Sequence, residues 1–249
     1  MAAPGEVSGG NAGDAMRGVP SAASTFAFSS HGGDGDVFAP LPSPRLLSTH
    51  LPYSHLLERI TANSSGCRIV YICRDPKDTI VSWWLFINKI MATEAAGANK
   101  GSKKHLPLAP YTVEEELDLF CDGRSANGPY WCHVLEYWEE SQRRPEKVLF
   151  LRYEEMLREP TRSVKRLAVF MGCPFSGEEE ADGVADAIVN KTGVTDINVR
   201  NEEFFRKGVS GDWSNHLSQE MAARLDMVVE HALRGSGFSF AAADGGHSV

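Results

Sequence analysis

Apolar positions along this chain recur with two different spacings, and each spacing marks a different kind of element. Arg68-Ile69-Val70-Tyr71-Ile72-Cys73 is a short, β-branched run, as expected of a strand buried on both faces. It stops at Arg74-Asp75-Pro76, and Ile80 to Met91 then has helical character. Asp75 suits the cap of that helix and Pro76 its first turn, where a missing N–H costs nothing. Thr112 and three glutamates open a second helical stretch running, with breaks, to Ser141. Lys147-Val148-Leu149-Phe150-Leu151 is a second buried-strand run. Pro160 to Met171 then reads as a helix closed by Gly172, residues 178–189 as a further helix and residues 191–213 as loop. Ser218 caps a last amphipathic helix whose stop is Gly235.

Alternation of strands and helices predicts an α/β fold, with a mainly parallel central sheet flanked by helices. In such folds ligands lie at the carboxyl ends of the strands. Residues 1–36 are rich in Gly, Ala and Ser without a hydrophobic period, so they are expected to form a disordered or poorly packed N-terminal segment. Residues 37–249 are expected to form the domain, entered through the proline-rich stretch Pro40 to Pro44.

Composition narrows the function classes. A chain of 249 residues with 42% hydrophobic and 23% charged residues fits one α/β domain of ordinary soluble type. A formal net charge of −8 argues against a general nucleic-acid binder, which needs a basic surface to displace counterions. It leaves room for an anionic small molecule, because a few well-placed cations in a cleft suffice. The five cysteines form no CxxC pair and no zinc spacing. They read as reduced, mostly buried thiols of a cytoplasmic protein, with no metal site. No apolar run approaches ~20 residues, and the N-terminus has no signal-peptide core, so neither membrane insertion nor secretion is expected.

Three segments carry candidate chemistry. Arg74 stands where a strand gives way to a helix, so its guanidinium would adjoin unbonded backbone N–H groups and a positive dipole end, a sound anion site. The alternative is a structural ion pair with Asp75 or Asp78, and position alone leaves the two open. His50 in Thr49-His50-Leu51-Pro52-Tyr53 has the residue type for a general base near neutral pH, although a lone loop histidine commonly does no more than hydrogen-bond. Arg206 and Lys207 beside Gly208 and Gly211 pair two cations with side-chain-free backbone, which suits close approach of a phosphate. A solvated basic loop is the plain alternative.

Taken together, these segments resemble the cytosolic sulfotransferase family. Arg206-Lys207-Gly208-x-x-Gly211-Asp212-Trp213 is similar to its C-terminal nucleotide signature, and Arg74 to Ser82 to its central motif for the donor's 3′-phosphate. Pro44 to Tyr53 resembles the segment that carries the catalytic histidine, in wording close to plant members. Leu151-Arg152-Tyr153-Glu154-Glu155-Met156 is similar to a strand end with an adenine-contacting tyrosine. The resemblance covers roughly residues 37–240. It implies a P-loop-like sulfotransferase fold and sulfo transfer from 3′-phosphoadenosine-5′-phosphosulfate, without a metal, to a hydroxyl of a small acceptor such as a flavonoid, steroid or hydroxy acid. His50 would be the general base. Arg74, Ser82, Arg206, Lys207 and Gly208 would hold the 3′-phosphate, and Tyr153 would meet the adenine. Neither nucleic acid nor membrane is implied as a partner, and the chain is expected to be a monomer or weak homodimer.

The sequence also departs from that family. A Tyr-Pro-Lys-x-Gly-Thr-x-Trp type phosphosulfate loop does not occur, and the Gly-rich stretch Ser29 to Gly35 contains no lysine. A Cys-Ser-Phe type segment is missing between Val189 and Asn190, and Ser214 stands where the signature usually has lysine. These departures predict a fold incomplete at the N-terminus. They also keep a second expectation open: a catalytically inactive, truncated relative that retains only 3′-phosphate nucleotide binding or an interaction role.

Overall fold

The computed structural model describes residues 46–98, 112–125, 128–191 and 208–240. The chain divides into two units, Met1–Leu51 and Pro52–Val249. Within the first, the described residues 46–51 are without regular structure, and the Leu51 amide donates to Thr49 Oγ1 at 3.1 Å. The expected disorder of residues 1–36 lies outside the described residues.

The second unit holds strands β1 (Ile69–Cys73) and β2 (Val148–Arg152), which pair in parallel with Ile69 opposite Val148 and Cys73 opposite Arg152. In chain order the helices are α1 (Glu58–Thr61), α2 (Pro76–Ala98), α3 (Val113–Cys121), α4 (Tyr130–Arg143), α5 (Tyr153–Arg158), α6 (Pro160–Met171), α7 (Gly177–Ala181), α8 (Val184–Lys191) and α9 (Gln219–Leu233). A parallel pair needs a long crossover, and here α2, α3 and α4 provide it. The α/β class expected from the alternation is therefore what the chain forms.

Local chemistry explains the boundaries. Thr112 Oγ1 accepts from the Glu115 amide, and the Glu115 carboxylate accepts from the Thr112 amide, so a capping box opens α3. Ser218 Oγ takes the Met221 amide at the start of α9. Gly172 closes α6 at φ 82°, a conformation that a side chain disfavours. The single helix expected over residues 178–189 is instead α7 and α8, broken at Gly183 (φ 67°).

The main core joins one face of the sheet to the crossover and the last helix. Cys73, Ile80, Leu117, Phe120, Val134, Leu225, Val229, Leu233 and Phe238 pack there. A second cluster of Val81, Val113 and Leu217 takes in Trp84, Leu85 and Trp213. Period 2 sends Val70 and Ile72 to the opposite face of β1, where they are 39% and 50% exposed. The expectation of burial on both faces thus holds for one face among the described residues. The thiols also differ from expectation. All five are reduced, but Cys67, Cys132 and Cys173 are exposed and Cys73 alone is fully buried.

Candidate functional site

The site grows from the turn that leaves β1. Arg74 is its first residue, and the Tyr130 hydroxyl on α4 pins its backbone from both sides. That hydroxyl accepts the Arg74 amide at 3.1 Å and donates to the Arg74 carbonyl at 2.7 Å. Burial raises the Tyr130 pKa, which keeps the hydroxyl a donor. One residue on, the Asp75 amide donates to Glu154 of α5 at 2.8 Å. The Asp75 carboxylate caps α2 as expected, accepting the amides of Lys77 (2.8 Å) and Asp78 (3.4 Å). The helix N-terminus beside Arg74 is therefore not the set of unbonded amides that the strand-to-helix position implied, because Asp75 has already engaged two of them.

Arg74 itself points across the turn. Its Nη2 donates to the Val209 carbonyl at 3.0 Å and lies 3.7 Å from Asp78 Oδ2. Its guanidinium carbon sits 4.8 Å from the centroid of the Tyr153 ring. Nε is buried and has no hydrogen-bond partner among the described residues. The side chain retains 23% exposure. Of the two readings left open for Arg74, the ion pair with Asp78 is present in the structure, and the side chain also keeps exposed surface and one nitrogen without a partner among the described residues.

The segment after Gly208 is held from below by Asp78, which is 1% exposed. Asp78 Oδ2 accepts the Gly211 amide at 2.7 Å and Oδ1 accepts the Trp213 amide at 3.0 Å, with Ser210 Oγ 3.4 Å from Oδ2. Lys77 Nζ lies 4.9 Å from the Trp213 ring centroid and pairs with Asp226 of α9 at 2.6 Å. Gly208 (φ 64°) and Gly211 (φ 86°) adopt left-handed backbone that L side chains rarely take, which explains both glycines of the signature. Among the described residues an added Cβ would meet nothing within 4 Å at either position, so backbone conformation is the reason the structure gives for both.

Of the expected site residues, the structure brings Arg74, Tyr153 and the Gly208–Val209 backbone together. Ser82 lies on α2, one turn beyond Asp78 and on the same side of the helix, half-buried. Arg206 and Lys207 lie outside the described residues. His50 is exposed and belongs to the N-terminal unit. Sequence reasoning missed three supports: Tyr130, Glu154, and Asp78 as the anchor of the 208–213 turn. For Asp78 a signal was present, since Arg74 and Asp78 stand four apart, one turn of helix. No sequence signal linked Tyr130 or Glu154 to the turn.

Comparison with known proteins places this arrangement. The chain matches the sulfotransferase domain family model over residues 34–237. The chain is 41% identical over 211 residues to cytosolic sulfotransferase 5 of Arabidopsis thaliana, covering 80% of this chain and 61% of that protein. It is 38% identical over 212 residues to cytosolic sulfotransferase 12 of the same plant, covering 82% and 60%. Mouse sulfotransferase SULT7A1 complexed with PAP superposes with a TM-score of 0.58 at 26% identity, over 78% of this chain and 68% of that one. Retinol dehydratase in complex with androsterone and inactive cofactor PAP does so with a TM-score of 0.61 at 23% identity, over 82% and 58%, a likeness of fold alone. The chain belongs to the sulfotransferase family. It spans about three fifths of the length of the curated relatives it matches. No described helix is long and apolar enough to cross a membrane.

Proposed function

We propose that the protein binds 3′-phosphoadenosine-5′-phosphosulfate through its 3′-phosphate and transfers the sulfo group to a hydroxyl of a small acceptor in the cytosol. One observation carries the reading. The 3.0 Å bond from Arg74 to the Val209 carbonyl joins two segments 135 residues apart, each of which resembles part of one nucleotide site. A guanidinium already oriented by a carbonyl and an aromatic face loses little freedom on taking a phosphate, and its planar fork suits two phosphate oxygens. Gly208 lets the backbone come close, Ser82 adds a hydroxyl one turn along α2, and Arg206 and Lys207 adjoin in sequence. Tyr153, stacked on Arg74, is the residue we assign to the adenine.

In the transfer, the acceptor oxygen attacks sulfur, and the bond between sulfur and the bridging phosphate oxygen breaks. Adenosine 3′,5′-bisphosphate departs, and His50 takes the acceptor's proton. A flavonoid, steroid or hydroxy acid fits the acceptor class. The contacts among Arg74, Tyr153 and Val209 bear on the proposed binding and not on transfer. That favours, as a second reading, a relative that binds the nucleotide and does not turn over.

The test follows labelled sulfo transfer from the donor to a panel of flavonoids, steroids and hydroxy acids, for the wild type and His50→Ala. Turnover by the wild type, abolished in His50→Ala, supports the proposal. Turnover no greater than that of His50→Ala overturns the transfer step. Thermal unfolding with adenosine 3′,5′-bisphosphate decides the binding step. A ligand at 100 times its Kd adds ~2.7 kcal/mol, and no shift at millimolar nucleotide overturns both readings.

A further inference from the structure

Asp78 is the most deeply buried acid at this site, with Asp212 of the signature next to it in burial, and the proposed reaction uses neither. A carboxylate at 1% exposure is costly unless every oxygen is engaged. Here both are: Oδ2 on the Gly211 amide at 2.7 Å and Oδ1 on the Trp213 amide at 3.0 Å. The two donors lie on the turn that begins at Gly208, while Asp78 lies on the first turn of α2. Arg74, four residues earlier, reaches the same turn through the Val209 carbonyl and lies 3.7 Å from Oδ2. One carboxylate thus fixes a backbone turn and its neighbouring arginine in a single frame.

We infer that Asp78 is a positioning residue, whose carboxylate clamps the Gly208–Trp213 turn onto α2 and so sets the distance between Arg74 and the glycine signature. What the clamped turn is for rests on the nucleotide reading above, whereas the clamp itself does not. Two considerations predict opposite effects for Asp78→Asn. If the carboxylate acted only through its charge, removing a negative group beside Arg74 would tighten the binding of an anion. If it positions, the change loosens the turn. An amide keeps one acceptor oxygen and turns its NH2 toward a backbone N–H, so one of the two turn amides loses its partner.

The decisive experiment measures two things on the full chain and on Asp78→Asn. The first is hydrogen exchange at the Gly211 and Trp213 amides without nucleotide. These should be protected in the wild type and exchange at least ten times faster in the variant, while α4 and α9 core amides stay unchanged. The second is the affinity ratio of adenosine 3′,5′-bisphosphate to adenosine 5′-monophosphate. It should fall tenfold or more, because only the 3′-phosphate addresses the clamped turn. An unaltered exchange rate, or an affinity ratio that stays the same or rises, overturns the inference. If Asp78→Asn does not fold, wild-type exchange still decides: unprotected Gly211 and Trp213 amides overturn the clamp. A wild type that ignores the 3′-phosphate overturns the nucleotide reading, and the exchange measurement then decides the clamp alone.

Discussion

Replacing Arg74 tests the nucleotide reading at its centre. In the structure this side chain makes one hydrogen bond at 3.0 Å to the Val209 carbonyl, an ion pair at 3.7 Å with Asp78 and a stacking contact at 4.8 Å with Tyr153. Arg74→Lys keeps the charge but cannot hold the carbonyl, the ring face and two phosphate oxygens at once, because an ammonium is a point donor rather than a planar fork. The variant should therefore lose one charge-assisted hydrogen bond to the phosphate, about 1.5–3 kcal/mol, or roughly 10- to 150-fold in Kd. Arg74→Ala should weaken binding further and also lower stability. Two unit charges 4 Å apart interact by ~1 kcal/mol in water and ~4 kcal/mol at an effective dielectric of 20. With Arg74 at 23% exposure and Asp78 still bonded to two amides, a stability loss of about 1–2 kcal/mol is expected. Titration calorimetry with adenosine 3′,5′-bisphosphate and adenosine 5′-monophosphate reads the first effect, and urea unfolding the second. The reasoning is refuted if Arg74→Lys binds the bisphosphate within threefold of wild type. It is refuted equally if both nucleotides weaken alike.

Two further outcomes follow from burial. In thiol titration at pH 8, the exposed Cys67, Cys132 and Cys173 should react in a fast phase, while Cys73, 2% exposed and with its thiol pushed up to about 12 by burial, should react only after unfolding. Modification of Cys73 in the fast phase would contradict its place in the core. Burial also raises the Asp75 carboxyl, against the opposing pull of Lys77 and the two capped amides. A raised folded-state pKa contributes stability that is complete below the unfolded value of 3.8 and is lost as pH climbs through the shifted one. The stability of wild type minus that of Asp75→Asn should therefore decline as pH rises from 3.8 upward. Urea unfolding at a series of pH values checks the slope, and a difference that grows with pH would reverse the sign of the argument.

Local rules made much of this fold legible. Thr112, Ser218, Pro160 and Gly172 each act through their immediate neighbours, so their helix ends were readable from a few residues. Both strands were recognisable from short apolar runs. Other features depend on what lies far away in sequence. Gly183 splits a helix that composition alone would continue, and α5 follows β2 without a gap where the residues showed only a strand end. The pairing of Arg74 with Val209 was invisible to periodicity, because a side chain and a carbonyl 135 residues apart share no local pattern. Family wording brought those segments together, and the structure shows by which atoms they meet. His50 lies in the first unit, so its proposed role rests on sequence resemblance and on the transfer assay.

The acids around Arg74 show how a proposed anion site can carry several carboxylates. Arg74-Asp75-Pro76-Lys77-Asp78 holds two acids among two bases, and a near-neutral sum would seem to offer a phosphate little. Geometry separates the charges. Asp75 turns to the amides of α2, Asp78 to the amides of the 208–213 turn, and Glu154 to the Asp75 amide. Each carboxylate faces backbone N–H groups, while Lys77 is directed to Asp226. Arg74 is the cation of this motif left with exposed surface and an unpartnered nitrogen among the described residues. On the proposed nucleotide reading, selectivity for a 3′-phosphate would come less from net charge than from where one guanidinium is held relative to one glycine turn. Salt offers a way to separate these contributions. Screening weakens long-range attraction for every anion alike, so at high salt the preference for the bisphosphate over the monophosphate should persist while both affinities fall.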